Sequence, residues 1–275
     1  MTEYPSQSAG WQVEQRASEA YEQYLVPPIL APWADRLLET CEIHEGDRVL
    51  DVACGTGIVA RHIAPRVGPG GSVTGLDINE GMLDVAAETA GDVSPPIEWR
   101  RGDATELPFS EAEFDVVSCQ QALQFFEDPV AAIEEIHRVL APNGRTALSV
   151  WRPLEYQPAY VALADALERY VGEDAGDMMR SPFPAWDGAD LRTLLEDAGF
   201  DDVSVTIEIG SVRYPSVPEF VRREAASSPL AEPIAAIDRT VREELIHEVD
   251  DALDAYGDDD GIVSPMESYV VTAER

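Results

Sequence analysis

An apolar run that ends in a glycine turn, Val49-Leu50-Asp51-Val52-Ala53-Cys54-Gly55-Thr56-Gly57, constrains this chain more than any other feature. A strand that stops at two closely spaced glycines and resumes as a helix lets backbone approach a ligand, because glycine lacks the Cβ that would hold it away. The helix that follows offers unpaired N–H groups in its first turn. A second apolar run, Val73-Thr74-Gly75-Leu76-Asp77, closes on an acid. Asp77 stands about 20 residues beyond Gly57, where an acidic side chain reaches ribose hydroxyls. Together the two segments imply an adenosine-containing ligand.

The pattern that begins there keeps alternating. Strands are expected at 48–52, 73–77, 97–101, 114–119 and 146–150, and helices at 58–66, 80–90 and 130–140. Turn chemistry falls between them at 68–71, 94–96 and 142–144. Such alternation predicts a parallel sheet with helices on both faces. Beyond Trp151 the spacing predicts a helix over 159–171, a Gly/Asp/Met/Pro-rich loop to 186, a helix over 189–198 ending at Gly199, and a strand over 203–209. Residues 215–257 read as two helices before a last strand at 268–272. The final two strands are joined without the usual crossover-helix pattern and are expected to pair antiparallel, carrying those helices as an insertion. The whole is therefore expected to be a doubly wound, Rossmann-like α/β fold: a mostly parallel seven-stranded sheet, an antiparallel last strand and a helical cap. Helices at 15–25 and 31–41, divided by Pro27-Pro28, place residues 1–46 in that cap. Residues 47–275 form the main domain, with cap insertions at about 153–186 and 215–259.

Charge limits the partners. The 275 residues carry 53 Asp and Glu against 19 basic residues, a formal net charge of −34, and every basic residue is arginine. The acids are spread along the whole length, as in a solvent-wide acidic shell. Such a shell repels itself in dilute salt and is tolerated when salt shortens the screening length to about 3 Å near 1 M. This predicts halophilic adaptation, to a salt-rich cytoplasm. Nucleic acid is excluded as a partner, because phosphate binding needs a basic face. No apolar run approaches the roughly 18 residues of a membrane span, and residues 1–10 lack the layout of a secretory signal, so a cytoplasmic protein is expected. Cys41, Cys54 and Cys119 show no C-x-x-C spacing, and the four histidines form no pair at helical spacing, so no metal site is expected.

Gly55-Thr56-Gly57-Ile58-Val59-Ala60 also fits the G-x-G-x-x-A turn of nicotinamide-dependent dehydrogenases. Three features favour a different ligand. Asp51 puts a carboxylate inside the turn, where pyrophosphate would need room and a cationic ligand would be welcome. Gly102-Asp103-Ala104 follows the third strand and offers a carboxylate and backbone to an adenine edge. Phe114 to Gln120 ends the fourth strand at the carboxyl edge of the sheet, where open α/β folds bind ligands.

Taken in order, Leu50 to Gly57, Gly75-Leu76-Asp77, Gly102 to Phe109, Phe114-Asp115-Val116-Val117 and Arg138 to Gly144 resemble class I S-adenosylmethionine-dependent methyltransferases. The resemblance covers about residues 47–151 and extends to the broad subgroup that includes the C-methyltransferases of ubiquinone and menaquinone biosynthesis. It implies S-adenosyl-L-methionine as cofactor and S-adenosyl-L-homocysteine as product. The amino acid part of the cofactor would lie against Asp51, Ala53, Gly55 and Gly57, the ribose on Asp77, and the adenine against Asp103 and Ala104. Thr56, Ile78, Met82, Gly102 and Gln120 complete the expected cofactor-binding set. Two positions depart from the common pattern. Ala53 replaces a first glycine, and Asn143 replaces a glycine in the later turn, a place where asparagine tolerates left-handed geometry.

Family counterparts of Gln120, Gln124 and Phe125 border the methyl group and the acceptor. Tyr21, Tyr24 and Trp33 lie at helix-compatible spacing, where aromatic faces attract a cation such as a sulfonium. The acceptor pocket is therefore expected to include Tyr21, Tyr24, Trp33, Gln124 and Phe125. Within the cap, Tyr156, Tyr160, Met178, Met179, Phe183, Trp186 and Phe220 offer a lining for a small apolar or aromatic molecule. His137 is expected to be structural, and no catalytic base is named. Methyl transfer by in-line displacement to a small-molecule acceptor is the expected activity. The alternative is a regulatory or scaffold protein that binds the cofactor without turnover. The sequence is compatible with a homodimer.

Overall fold

Val49 and Leu50 are neighbours in the first strand yet enter different cores, and the same split recurs at Val116/Val117, Ala147/Leu148 and Val270/Val271. Successive side chains of a strand point to opposite faces, so paired apolar residues mark a sheet buried on both sides. The computed structural model describes residues 15–275. Residues 1–10, read above for a secretory signal, lie outside them.

The strands are β1 (Arg48–Val52), β2 (Ser72–Asp77), β3 (Ile97–Arg101), β4 (Phe114–Gln120), β5 (Leu140–Trp151), β6 (Asp201–Tyr214), the two-residue β7 (Gly257–Asp258) and β8 (Gly261–Glu274). Their order is β3-β2-β1-β4-β5-β8-β6, with β7 paired to β8 alone. Strands β1 to β5 pair parallel, and β8 runs antiparallel to both β5 and β6. This is the expected doubly wound arrangement. The order reverses between β1 and β4, which opens a crevice at their carboxyl ends.

One face of the sheet is covered by α2 (Ala31–Thr40) and α3 (Ile58–Val67), through residues such as Leu37, Ile63 and Val67. The other is covered by α5 (Pro129–Val139) and α8 (Gly188–Asp197), through Ile133, Ile136, Leu191 and Leu195. Helix α4 (Glu80–Ala90) follows β2, and α1 (Gln15–Tyr24) packs against it. Local chemistry sets several starts. Asn79, Asp128, Asp187 and Ser216 each accept a first-turn N–H, and Asp187 forms a reciprocal capping box with Asp190. Each such cap contributes about 1 kcal/mol.

A third apolar core forms the cap. It joins a wide helical turn at Val26–Leu30 to α6 (Pro158–Tyr170), α7 (Glu173–Arg180), α9 (Val217–Ala226), α10 (Ala231–Ala236) and α11 (Arg239–Leu253).

The structure corrects four expectations. The stretch read as a loop before residue 186 contains α7. Its acidic first turn, Glu173 and Asp174, and basic Arg180 in the last turn suit the helix dipole, while Ala175 and Met179 fall one turn apart on the buried side. Residues 215–257 hold three helices instead of two, because Ser227-Ser228-Pro229 stops α9 and Ile237-Asp238 separates α10 from α11. The turn at 142–144 is a bulge inside β5, whose register with β4 shifts between Leu140 and Arg145. Asn143 takes φ +63 there, and backbone bonds with Arg275 hold the bulge. The last two strands are each 14 residues long, well beyond the expected 203–209 and 268–272.

Candidate functional site

The crevice at the β1/β4 reversal deepens into a cavity of about 690 Å³ between the sheet edge and the cap. Its floor comes from the turns after four parallel strands. Ala53 and Gly55 follow β1, Asp77 to Asn79 close β2 with Met82 beyond them, Gly102 to Thr105 follow β3, and Gln120 to Ala122 end β4. Its roof comes from Tyr21, Leu25, Ile29 and Leu30 of the N-terminal helices and from Tyr160, Met179, Phe183, Glu224, Ser227 and Met266.

The two glycines of the first turn serve different purposes. Gly55 takes φ +53, and a Cβ there would meet nothing within 4 Å, so the backbone itself faces the open crevice. Gly57, at φ +83, does not line the cavity. A Cβ on it would overlap the Trp99 ring, and one on Gly75 would lie 2.5 Å from the same ring. Trp99 of β3 thus fills space left by glycines of two separate segments.

Asp77 is the best-held acid of the floor. Its Oδ2 accepts the Gly55 N–H and its Oδ1 the Asn79 N–H, each at 2.8 Å. Burial pushes its carboxyl above the usual range, while the Asn79, Gly55 and Ile78 amides pull the other way. The carboxylate keeps acceptor capacity for a further donor, as a hydroxyl would supply. Asp103 is exposed, and its Oδ1 accepts from the backbone and hydroxyl of Thr105 at 2.8 Å. Ile78 is 47% exposed at the rim between them, an aliphatic face set beside the crevice. Asp51 lies below the turn, where its carboxylate accepts the Ser118 hydroxyl at 2.9 Å and the Ala60 N–H of α3 at 3.2 Å. Burial lifts its pKa to about 7. It borders a side recess of about 30 Å³ that shares Tyr21, Leu30, Ala53, Gly55 and Gln120 with the main cavity.

At the cap end, the Tyr160 and Tyr214 hydroxyls donate to Glu224 Oε1 at 3.0 and 2.8 Å. Glu224 is 5% exposed, and burial raises its pKa to about 7 against the pull of those two phenols. The carbonyl oxygens of Gln120 and Gln121 and the Ser227 hydroxyl are buried without a hydrogen-bond partner. All three residues line the cavity.

Of the residues expected at the cofactor, Ala53, Gly55, Asp77, Ile78, Met82, Gly102, Asp103, Ala104 and Gln120 line the main cavity. Asp51 and Thr56 reach only the side recess, and Gly57 reaches neither. Of the expected acceptor residues, Tyr21 and Phe125 line it, whereas Tyr24, Trp33 and Gln124 do not. Tyr24 lies under the guanidinium groups of Arg222 and Arg223. Trp33 is buried edge-on against Trp151, and Gln124 turns back to the Gln121 carbonyl. In the cap, Tyr160, Met179 and Phe183 reach the cavity; Tyr156, Met178, Trp186 and Phe220 do not. His137 packs edge-on against Phe200, outside the site.

Glu224 and Ser227 were missed by sequence reasoning, although a signal existed. Val217, Phe220, Val221, Glu224 and Ala225 share the buried stripe of α9, so Glu224 is a charge on an apolar face. Among the described residues no cluster of His, Cys, Asp or Glu could hold a metal, and no helix is long and apolar enough to cross a membrane.

Three kinds of comparison agree with this geometry. Residues 50–148 match the family described as "Methyltransferase domain". A demethylmenaquinone methyltransferase of Staphylococcus carnosus is 32% identical over 190 residues, which cover 66% of this chain and 78% of that protein. Among solved structures, the YcgJ protein of Bacillus subtilis superposes with a TM-score of 0.60 at 18% identity, covering 88% of this chain and 97% of that one. Phosphoethanolamine N-methyltransferase 2 of Haemonchus contortus, in complex with S-adenosyl-L-methionine, gives 0.60 at 19% identity over 96% of this chain and 58% of that one. The alternating sheet, the glycine turn opening on a crevice and the sequence kinship together place the chain in the class I S-adenosylmethionine-dependent methyltransferases, the family that includes the quinone C-methyltransferases.

Proposed function

We propose that the floor of the cavity holds S-adenosylmethionine and that the cap end holds a small apolar or aromatic acceptor, to which the methyl group passes by in-line displacement. One observation carries this reading: a single cavity joins a polar, glycine-opened floor to an aromatic, methionine-bearing roof. Asp77 holds the ribose hydroxyls, Ile78 and Met82 flank the adenine with Asp103 and Ala104 at its edge, and Gly55 admits the amino acid portion. Gln120, whose Nε2 donates to the Leu30 carbonyl at 2.8 Å, ties the floor to the roof and leaves its carbonyl oxygen to the ligand. Asp51 acts from below by fixing the start of α3. The relatives named for demethylmenaquinone support an aromatic acceptor.

The cofactor supplies a methyl group on a sulfonium, a leaving group that needs no protonation. The chain therefore has mainly to position and to exclude water. Holding two reactants at near-attack distance contributes about 7–11 kcal/mol to lowering a barrier. Tyr21 and Leu30 above and Gln120 below are placed to do this at the junction of floor and roof. Titration calorimetry with S-adenosylhomocysteine, followed by a methyl-transfer screen over quinols, phenols, sterols and amines in molar KCl, tests the reading. Stoichiometric binding and turnover on an aromatic acceptor are expected, and no calorimetric binding would overturn it.

We also infer adaptation to a salt-rich cytoplasm. With 53 Asp and Glu against 19 arginines, the carboxylates far outnumber the cations available to neutralise them. Raising KCl cuts the screening length from about 10 Å at 0.1 M to about 3 Å at 1 M. The melting temperature is expected to climb steadily over that range in a thermal scan. A flat or falling curve would remove the inference.

A further inference from the structure

Glu224 in the last turn of α9 and Ser227, the residue that caps its end, both line the cap end of the cavity. Both phenol hydroxyls that reach Glu224 donate to Oε1, so Oε2 receives neither. No arginine pairs with Glu224 among the described residues. Arg223, next along the helix, is bonded to Glu219 at 2.7 Å. The Ser227 hydroxyl is 1% exposed as a residue and has no partner. A buried carboxylate without a cation and a buried hydroxyl without a bond are both costly to keep, and each is relieved by a hydrogen-bonding ligand.

We propose that Glu224 and Ser227 form the acceptor's polar subsite, that the acceptor carries a phenolic or enolic hydroxyl, and that Glu224 is the general base that takes its proton. This rests on the reading of the cavity as a methyl-transfer site. In the step, the acceptor's O–H bond breaks and its proton passes to the Glu224 carboxylate. The electron pair so released, on oxygen or on the conjugated ring carbon, forms the new bond to the methyl carbon. The pair of the broken sulfur–carbon bond leaves on sulfur. Where the ring carbon has attacked, the proton on that carbon leaves afterwards to water and Glu224 returns its own proton to the oxygen, restoring both the hydroxyl and the carboxylate. One positive and one negative charge disappear together inside an apolar chamber.

A neutral hydroxyl suits this chamber better than an ammonium. Two like charges about 4 Å apart repel by about 4 kcal/mol at an effective dielectric of 20, and a cationic acceptor would face the sulfonium in the same cavity. The groups around Glu224 agree. Tyr160 of α6 and Tyr214 of β6 donate to it, and Tyr21 of α1 feels both its charge and that of Asp77. Helix α11 contributes the apolar Leu245, Val249 and Leu253 to the same core. With its pKa lifted to about 7 by burial, Glu224 is poised to exchange a proton near neutrality.

The test is binding of 2-naphthol, a fluorescent weak acid, to wild type, Glu224→Gln and Ser227→Ala, each saturated with S-adenosylhomocysteine. Wild type is expected to bind it, more tightly as pH rises through about 7, since the ionised carboxylate is the stronger acceptor. Glu224→Gln should bind it about tenfold more weakly with no pH dependence, and Ser227→Ala a fewfold more weakly with the dependence kept. S-adenosylhomocysteine affinity should stay within about twofold in both variants, which separates the subsite from the cofactor floor. If Glu224→Gln fails to fold, as its melting curve would reveal, Ser227→Ala decides. No naphthol binding to wild type, or unchanged affinity and pH dependence in the variants, overturns the proposal while leaving the cofactor reading intact. Loss of S-adenosylhomocysteine binding by wild type would instead strike the cofactor reading.

Discussion

Replacing Asp77 with alanine weakens S-adenosylhomocysteine binding by roughly a hundredfold or more, the loss expected when two charge-assisted hydrogen bonds of about 1.5–3 kcal/mol each disappear. The expectation is large because Asp77 acts twice. Its carboxylate fixes the Gly55 and Asn79 amides, and the residue lines the cavity. Alanine therefore removes the ligand's partner and also loosens the turn that must accept the ligand. Asparagine does not rescue it. The amide nitrogen would have to face either the Gly55 or the Asn79 N–H, donor against donor. Calorimetry on wild type, Asp77→Ala and Asp77→Asn measures this directly, and retention of affinity within threefold in the alanine variant would remove Asp77 from the site.

Gly75→Ala is expected to destabilise the fold by about 3 kcal/mol or more, at the upper end for overpacking a rigid core. The added methyl would stand 2.5 and 2.6 Å from two Trp99 ring carbons and 3.0 Å from the Cys54 sulfur. Neither neighbour is the free end of a flexible chain. Thermal or denaturant unfolding gives the magnitude, and a double-mutant cycle gives the cause. Trp99→Leu should recover much of the loss in Gly75→Ala, because the two closest contacts are with the indole. The same replacement should recover less in Gly57→Ala, where alanine must also hold φ +83. Equal rescue in both would show that backbone strain at Gly57 is negligible.

The alternating core was readable because its physics is local. Paired apolar residues such as Val49-Leu50 and Val116-Val117 demand a sheet covered on both faces, and caps at Asn79 and Asp128 mark where helices begin. The glycine turn and the acid that closes the second strand were each visible within their own segments, whereas the bond from the Gly55 N–H to Asp77 that joins them was not. The cap was harder. Helix α7 hides in a stretch rich in Gly, Asp and Pro, and its existence depends on Met179 finding a core built by α6 and α9. Which aromatics reach the cavity was legible only in part. Trp33 and Tyr160 look alike as sequence, yet Trp33 is taken up by Trp151 while Tyr160 meets Glu224. Gly57 marks a subtler limit. Its missing side chain was read as room for a ligand, and the structure gives that room to Trp99, a residue more than forty positions away.

Strand β8 lies between β5 and β6, both made before it, with β6 bonded to the rest of the sheet only through it. During synthesis β6 must therefore wait without a partner, its amides open, until residues 261–274 have left the ribosome and slid into place. The parallel half, from β1 to β5, can assemble earlier, because all its strands lie before residue 152. Completion of the cap is tied to the late event, since α9 to α11 hang between β6 and β8. A nascent chain can thus shape the floor of the crevice well before the chamber above it is closed.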